Sequence, residues 1–199
     1  MLCHGCLPQR QPDGSQSYQW MDIEVEHHMR LVDIYNPHMR DALTHGEFVQ
    51  PTTNGSGLPV PQPVAMLLML NAHLLKHLMG HGIGLRQFCD MAGAYRSLHR
   101  HYDAAQLENL CRQAGIVRWS RQLHAFLTLR LGLDPQVLPF GAGTKVSGRM
   151  ERIVWQGGNF GHHSGNRGDD HQPAWLRKVR TAAAFVRNSA FSLAYAPSE

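Results

Sequence analysis

Hydrophobic and polar positions alternate most regularly in the segment from Tyr18 to Arg30. A period of two is typical of a β-strand, because successive side chains of a strand point to opposite faces of the sheet. Ile23 and Val25 form the apolar face, which is expected to pack against a layer of helices. The opposite face is strongly acidic, and its members are Asp22, Glu24, Glu26 and His28.

Beyond Pro63 the apolar positions recur at helical spacing. Residues 64–79 are apolar on nearly all sides, which predicts a central helix buried in the core. Asp103 is a suitable N-cap for the third predicted helix, and Gly115 is expected to end that helix. The other predicted helices cover residues 85–99, 117–131, 150–156 and 175–193, and the last of them is basic and amphipathic.

This order of elements predicts an α+β protein in which a short sheet region is followed by a larger helical bundle. Residues 1–17 are rich in Gln, Pro, Gly and Ser and have no hydrophobic period, so a disordered tail is expected there. The sheet region then covers residues 18–62, and the helical region covers residues 63–199. A chain of 199 residues with 43% apolar residues is large enough to bury a substantial core.

The net charge of +4 and the pI of about 9.1 fit a partner that carries phosphate, although many proteins without such a partner have the same balance. No signal peptide precedes Cys3, and the longest apolar run, residues 64–70, is too short to span a bilayer. We therefore expect a cytoplasmic protein with reduced cysteines and no membrane partner. Cys3 and Cys6 have the spacing of a zinc knuckle, but no further ligands follow nearby, which favours an unstructured end.

The acidic face of the predicted strand is a candidate metal site. Carboxylates two residues apart on a strand lie about 7 Å apart, and two or three of them can hold Mg²⁺, which prefers oxygen ligands. Such ions can align a nucleophile and a triphosphate for in-line displacement. A solvated face on an antiparallel edge strand gives the same pattern, and periodicity alone favours that interpretation.

Three histidines form a second candidate site on the predicted central helix. His73, His77 and His81 recur every four residues and therefore lie on one helical stripe. Two histidines at this spacing can bind zinc. In a helix this apolar, hydrogen-bonded packing and polar contacts to a neighbouring layer are the more common roles.

Glycines between two predicted helices form a third candidate site. The turn from Gly82 to Gly84 can expose backbone N–H groups at a helix start, where anions bind, and Arg86 can add positive charge toward a phosphate. An ordinary interhelical turn is the interpretation that the segment favours by itself. The later Gly-rich segment, residues 156–161, lacks the strand-then-helix context and the Lys-Ser/Thr pair of a P-loop.

The order of these segments resembles a family of uncharacterised bacterial nucleotidyltransferases within the DNA polymerase β-like superfamily. Residues 23–30 resemble its strand motif with a Glu-x-His core, and residues 77–90 resemble its central helical segment. Residues 138–140 and 157–161 resemble its later landmarks. The similarity runs from about Tyr18 to the C-terminus.

This resemblance implies a short mixed sheet, a following helical region, and Mg²⁺-dependent transfer of a nucleoside monophosphate from a nucleoside triphosphate to an acceptor. The acceptor, a small molecule or a protein, is left open. In the superfamily an Asp-x-Asp pair after a Gly-Ser or Gly-Gly turn binds the metal, and a third carboxylate on a later strand completes the site. Glu26 matches that third carboxylate. Glu24 and Asp22 are its expected companions at the metal, and His28 and Arg86 are the expected nucleotide contacts.

The chain departs from the family at the Asp-x-Asp pair that is expected to bind the metal. Gly14-Ser15 followed by Asp22-x-Glu24 is similar to a Gly-Ser turn before an Asp-x-Asp pair. The distance between turn and pair is short, however, and the same strand already matches the motif of the third carboxylate. The sequence therefore leaves open a truncated protein or a fragment, which would be inactive by itself. Two other functions stay open: a non-enzymatic helical interaction module that self-associates through an exposed sheet edge, and a metal protein built on the histidine stripe.

Overall fold

The protein is described here from a computed structural model. The structure describes residues 9–10, 16–21, 23–27, 52–53, 57, 59–79 and 83–157. The chain divides into two compact units, Met1–Asp33 and Ile34–Glu199. The predicted α+β class is confirmed, because a short antiparallel sheet precedes a larger set of helices.

The first unit contains three antiparallel strands, β1 (Gln9–Arg10), β2 (Gln16–Trp20) and β3 (Ile23–His27), in the spatial order β1-β2-β3. The single strand predicted from residue 18 to residue 30 is therefore wrong. Trp20 pairs with Ile23, so β2 and β3 are joined by a two-residue hairpin loop. Met21 in this loop has a φ of +54°, the left-handed backbone that tight hairpin turns require.

The apolar face of β3 is less buried than the alternation predicts. Val25 is half-buried, but 59% of the Ile23 surface is exposed. Ile23 is the first residue of β3, directly after the hairpin loop, and β3 is an edge of the sheet formed by the described strands. The expectation that Ile23 packs against helices is therefore wrong, because a residue at the end of an edge strand has few neighbours to cover it.

The second unit begins, among the described residues, with a two-stranded antiparallel ladder of β4 (Thr52–Thr53) and β5 (Pro59–Val60). Five α-helices follow in the described part of the chain. They are α1 (Pro63–Met79), α2 (Leu85–Leu98), α3 (Ala104–Gln113), α4 (Val117–Leu131) and α5 (Gly148–Gly157), with a 3-10 turn at Pro135–Val137 between α4 and α5.

Local residues explain where these helices begin and end. Asp103 caps α3 as predicted, and its Oδ1 accepts from the backbone N–H groups of Ala105 at 2.8 Å and Gln106 at 3.3 Å. Gly132 ends α4 in the left-handed conformation, with a φ of +69°, and its N–H is bonded to the last turn of the helix. The predicted boundaries of α1 to α4 therefore agree with the structure to within two residues.

The core of the second unit lies among α1, α2, α3 and α4. α1 contacts α2 and α3, and α4 contacts the same two helices. Phe88 on α2 and Phe126 on α4 are fully buried, with ring centroids 4.6 Å apart. α1 contributes a wide apolar surface, since Leu67, Leu68 and Leu75 are also fully buried. The prediction that α1 is a central buried helix is confirmed.

The chain after α4 folds back along that helix. Gly143 donates its N–H to the carbonyl of Arg121 at 2.8 Å, and the Gln122 side chain bonds to backbone atoms of Lys145 and Ser147. Arg130 on α4 then forms an ion pair with Glu151 on α5. These contacts hold α5 against α4. The predicted helix at residues 175–193 lies outside the described residues.

Candidate functional site

The two candidate glutamates occupy alternate positions of β3. Glu24 pairs across the ladder with Gln19, and Glu26 pairs with Ser17. Glu24 is exposed. Asp22, His28 and the side chain of Glu26 lie outside what the structure describes. The structure thus places Glu24 and Glu26 on one strand of the first unit, two residues apart.

Arg86 lies in the second unit, at the second position of α2. Its side chain is exposed. Gly84 is the N-cap residue and provides no side-chain acceptor, and the first turn of α2 contains no acidic residue. Backbone N–H groups at a helix start and a nearby guanidinium both favour an anion, so this end of α2 is electrostatically suited to phosphate.

The sequence also predicted clusters of side chains that could bind a metal ion. Among the described residues, no group of three or more His, Cys, Asp or Glu side chains is arranged to hold a metal ion. Two histidines of the predicted stripe do meet: the Nε2 atoms of His73 and His77 are 2.8 Å apart. His81, the third member, lies outside the described residues.

A buried polar cluster in the second unit was not predicted. Asn71 on α1 donates to the Ser120 hydroxyl at 2.9 Å, and Ser120 donates to the carbonyl of Ile116 at 2.9 Å. One turn further along α4, the His124 imidazole meets the Tyr95 hydroxyl of α2 at 3.0 Å. Asn71 is 1% exposed, and Tyr95, Ser120 and His124 are completely buried. The cluster therefore links α1, α2 and α4 through the middle of the core.

The protonation state of His124 follows from its partners. Its Nδ1 lies 3.2 Å from the carbonyl oxygen of Phe140, which can only accept, so Nδ1 carries the proton. Nε2 then has a free lone pair and accepts the Tyr95 hydroxyl. Burial lowers the pKa of His124 to about 4, although backbone hydrogen bonds at Phe140 and Gly141 oppose the shift. His124 is thus neutral near pH 7.

The other ionisable groups of this region are also held in their neutral forms. Burial raises the pKa of the Tyr95 hydroxyl well above its ordinary value, and it raises the pKa of the Cys111 thiol to about 12. A thiol with so high a pKa is a poor nucleophile, since the thiolate is the reactive form. The cluster is closed to solvent, and we assign it a structural role rather than a catalytic one.

One sequence signal could have revealed this cluster. Asn71, Ser120 and His124 occupy positions that the apolar period assigns to the buried faces of α1 and α4. A polar residue at such a position needs a buried partner, because an unpaired polar group in a core is costly. Sequence alone does not say which partner each residue finds.

Comparison with known families shows to which protein family the chain belongs. A family profile described as "Uncharacterised nucleotidyltransferase" matches residues 1–132. The chain belongs to this family. The predicted resemblance to uncharacterised nucleotidyltransferases is therefore confirmed. No curated protein and no solved structure matches the chain.

The extent of the nucleotidyltransferase match differs from the extent of the predicted resemblance. The match begins at residue 1, so the first seventeen residues, predicted to resemble nothing in the family, fall inside it. The match ends at Gly132, where α4 ends. The later landmarks at residues 138–140 and 157–161 lie beyond it, and the family match does not support them.

The matched segment contains every residue proposed from the sequence for the nucleotidyltransferase site, and it also contains Asn71, Tyr95, Ser120 and His124 of the buried cluster. It covers the described strands β1 to β5 and helices α1 to α4. Within the described part of this nucleotidyltransferase-family chain, none of the helices has the length and apolarity needed to cross a membrane.

Proposed function

We propose that this protein carries out Mg²⁺-dependent transfer of a nucleoside monophosphate from a nucleoside triphosphate to an acceptor, a small molecule or a protein. The observation that carries the proposal is the nucleotidyltransferase match over residues 1–132, which includes both β3 and the start of α2. The free thiols of Cys89 and Cys111 fit the reducing cytoplasm, where we place this reaction.

Glu24 and Glu26 are the proposed metal ligands, with Asp22 as a third. The exposed carboxylate of Glu24 is an oxygen ligand of the kind that Mg²⁺ prefers. When bound, Mg²⁺ would neutralise charge on the triphosphate. Alternate positions on β3 would bring the two glutamates to the same face of the sheet, about 7 Å apart by strand geometry. His28 is the proposed neighbouring contact to the nucleotide.

Arg86 is the proposed phosphate contact. It is exposed in the first turn of α2, where the helix dipole is positive and the turn itself contains no acidic residue. A guanidinium can donate two parallel hydrogen bonds to one phosphate group. The role of Arg86 in this proposal is to hold the triphosphate in place, without a direct part in proton transfer.

The proposal is tested by supplying the four nucleoside triphosphates with Mg²⁺ and measuring both nucleotide binding and pyrophosphate release. Binding is measured separately because catalysis also requires an acceptor. Glu24→Gln is expected to weaken Mg²⁺-dependent nucleotide binding by at least about tenfold, because even the loss of a group that only supports a metal ligand costs about 10- to 100-fold in metal affinity. Arg86→Ala should weaken nucleotide binding by a similar factor, since a hydrogen bond to a charged group contributes about 1.5–3 kcal/mol.

The chain offers matched controls for both substitutions. Arg118 is the second residue of α4, is exposed, and follows an N-cap residue with no side-chain cap, as Arg86 does. Asp134→Asn removes an exposed carboxylate but keeps a side chain able to cap the 3-10 turn. Equal losses in Arg86→Ala and Arg118→Ala, or Mg²⁺-independent nucleotide binding, would contradict the assigned roles.

A second candidate function, a non-enzymatic interaction module, is favoured by exposed apolar side chains on the hairpin. Met21 is 76% exposed and Ile23 is 59% exposed, beside the edge of the sheet formed by the described strands. Exposed apolar side chains on a strand edge favour association with another chain or with a second copy. Sedimentation decides this point: an interaction module should self-associate and lose that association in Ile23→Lys, whereas a monomer at all concentrations would exclude self-association.

A further inference from the structure

Two imidazoles meet on α1, whereas the proposed metal ligands and phosphate contact belong to the β2–β3 hairpin and α2. The Nε2 atoms of His73 and His77 are 2.8 Å apart, the ring centroids are 4.3 Å apart, and the ring planes are inclined by 75°. His73 is exposed and His77 is half-buried, so solvent reaches the pair. The four-residue spacing explains the contact, since such side chains are neighbours on a helix surface.

The distance between the two nitrogens is close to that of two ligands on one metal ion. Imidazole nitrogens lie about 2.0–2.1 Å from zinc, so two of them at a right angle are separated by about 2.9 Å and at the tetrahedral angle by about 3.3 Å. In the structure this contact is a hydrogen bond between the two rings, so a bound cation would replace the shared proton and be coordinated by both nitrogens.

We propose that His73 and His77 chelate one divalent transition-metal ion of the zinc, nickel or copper class, with water in the remaining coordination positions. Imidazole is a preferred ligand for these ions, whereas Mg²⁺ prefers oxygen. The site is therefore chemically distinct from the proposed Mg²⁺ site on β3. Two histidines four residues apart on a helix are a recurrent part of zinc sites.

The position of the pair on α1 gives the bound ion a structural effect. α1 ends at Met79, so a metal bridge between His73 and His77 clamps the last two turns of the helix. Lys76 shares this part of the helix and is exposed. Because the Lys76 ammonium repels a cation, binding depends on coordination to nitrogen. Binding requires neutral imidazoles, so protons compete with the metal ion for these nitrogens.

The experiment is a calorimetric titration of the untagged, full-length protein with Ni²⁺, in the absence of nucleotide. His73→Ala and His77→Ala are each expected to weaken binding by at least about tenfold, because even the loss of a group that only supports a ligand costs about 10- to 100-fold in metal affinity. Alanine is the best helix former, so both variants keep α1 intact, and circular dichroism verifies this.

His101→Ala is the matched control, because His101 is an exposed histidine between α2 and α3. It removes one imidazole from the protein and should leave the Ni²⁺ affinity within about twofold, well below the tenfold effect of losing a metal ligand. Any contribution of Cys3 and Cys6 is the same in all variants. Identical Ni²⁺ isotherms for wild type, His73→Ala and His77→Ala would overturn the proposal. Since no nucleotide is present, this failure would leave the proposed transferase function untouched.

Discussion

At the scale of single residues, the helical unit depends on polar side chains that are buried together. Tyr95, Ser120 and His124 are completely inaccessible to solvent, and each has a hydrogen-bond partner inside the core. These hydrogen bonds compensate the buried groups for losing water. Removing one member should therefore cost more than the hydrogen bond alone contributes, because it leaves a buried group unpaired.

Tyr95→Phe tests this dependence with the smallest possible change. The variant keeps the ring of Tyr95 but removes the hydroxyl that donates to Nε2 of His124. The free energy of unfolding is expected to fall by about 1–3 kcal/mol, the cost of an unsatisfied buried acceptor. Urea denaturation followed by circular dichroism measures the change.

Tyr102→Phe serves as the comparison for this prediction. The Tyr102 hydroxyl is only part-buried, and its bond to the carbonyl of Val137 is long, at 3.5 Å. Water can replace that partner, so a loss below about 0.5 kcal/mol is expected, as for substitutions away from buried networks. If both phenylalanine variants lost the same amount, burial of the Tyr95–His124 pair would not be the source of the effect.

At the scale of elements, two glycines have opposite backbone requirements. Gly132 lies at the end of one helix, and Gly93 lies inside another. Gly132 ends α4 with a φ of +69° and a ψ of +25°, a conformation that L side chains rarely adopt. Gly93 lies inside α2, is exposed, and an added Cβ would meet no atom within 4 Å. The same substitution should therefore have opposite effects at the two positions.

Gly132→Ala is expected to destabilise the protein by about 1–2 kcal/mol, because the left-handed backbone brings Cβ against the following carbonyl oxygen. Gly93→Ala is expected to stabilise it by about 0.5–1 kcal/mol, since alanine loses less backbone entropy on forming a helix. Thermal unfolding of the two variants side by side checks the signs. Destabilisation by Gly93→Ala would mean that α2 is packed more tightly at this position than the structure indicates.

At the scale of the whole molecule, histidine content links stability to pH. The chain contains 14 histidines and has a formal charge of +4 when they are neutral, so its positive charge grows as the pH falls. His124 differs, since burial holds its pKa at about 4 in the folded protein.

This difference predicts a specific loss of stability in acid. The unfolded chain binds a proton at His124 near pH 6.5, whereas the folded chain does so only near pH 4. Between these values the unfolded state holds more protons, so stability falls as the pH drops from about 6.5 to about 4, by a total of about 3 kcal/mol from this group. Below about pH 4 this contribution causes no further loss.

His124→Gln isolates that contribution, because glutamine cannot gain a proton. The free energy of unfolding, from urea denaturation followed at a helical circular dichroism wavelength, is compared for wild type and variant from pH 8 to pH 4. The free energy of unfolding of the wild type minus that of His124→Gln should be constant above about pH 7. It should decrease by about 3 kcal/mol toward pH 4. His101→Gln should follow the wild-type curve. A pH-independent difference between wild type and His124→Gln would contradict a neutral buried imidazole.

Local sequence determined much of the helical half of this molecule. The helical spacing of apolar residues and helix-terminal residues such as Asp103 and Gly115 act within a few positions of the chain. For that reason α1 to α4 could be predicted with nearly correct ends. The family resemblance was likewise readable, because short ordered motifs such as residues 23–30 and 77–90 lie within the matched segment.

Tertiary structure decided what local patterns cannot express. The alternation around Ile23 predicted one long strand, yet a turn at Met21 makes a hairpin, and whether Ile23 is covered depends on neighbours that are distant in sequence. The meeting of Tyr95 with His124, 29 residues apart, and of Asn71 with Ser120, 49 residues apart, depends on how the helices cross. Periodicity shows which residues face a core but not which of them touch, because side-chain contacts between elements depend on packing in three dimensions.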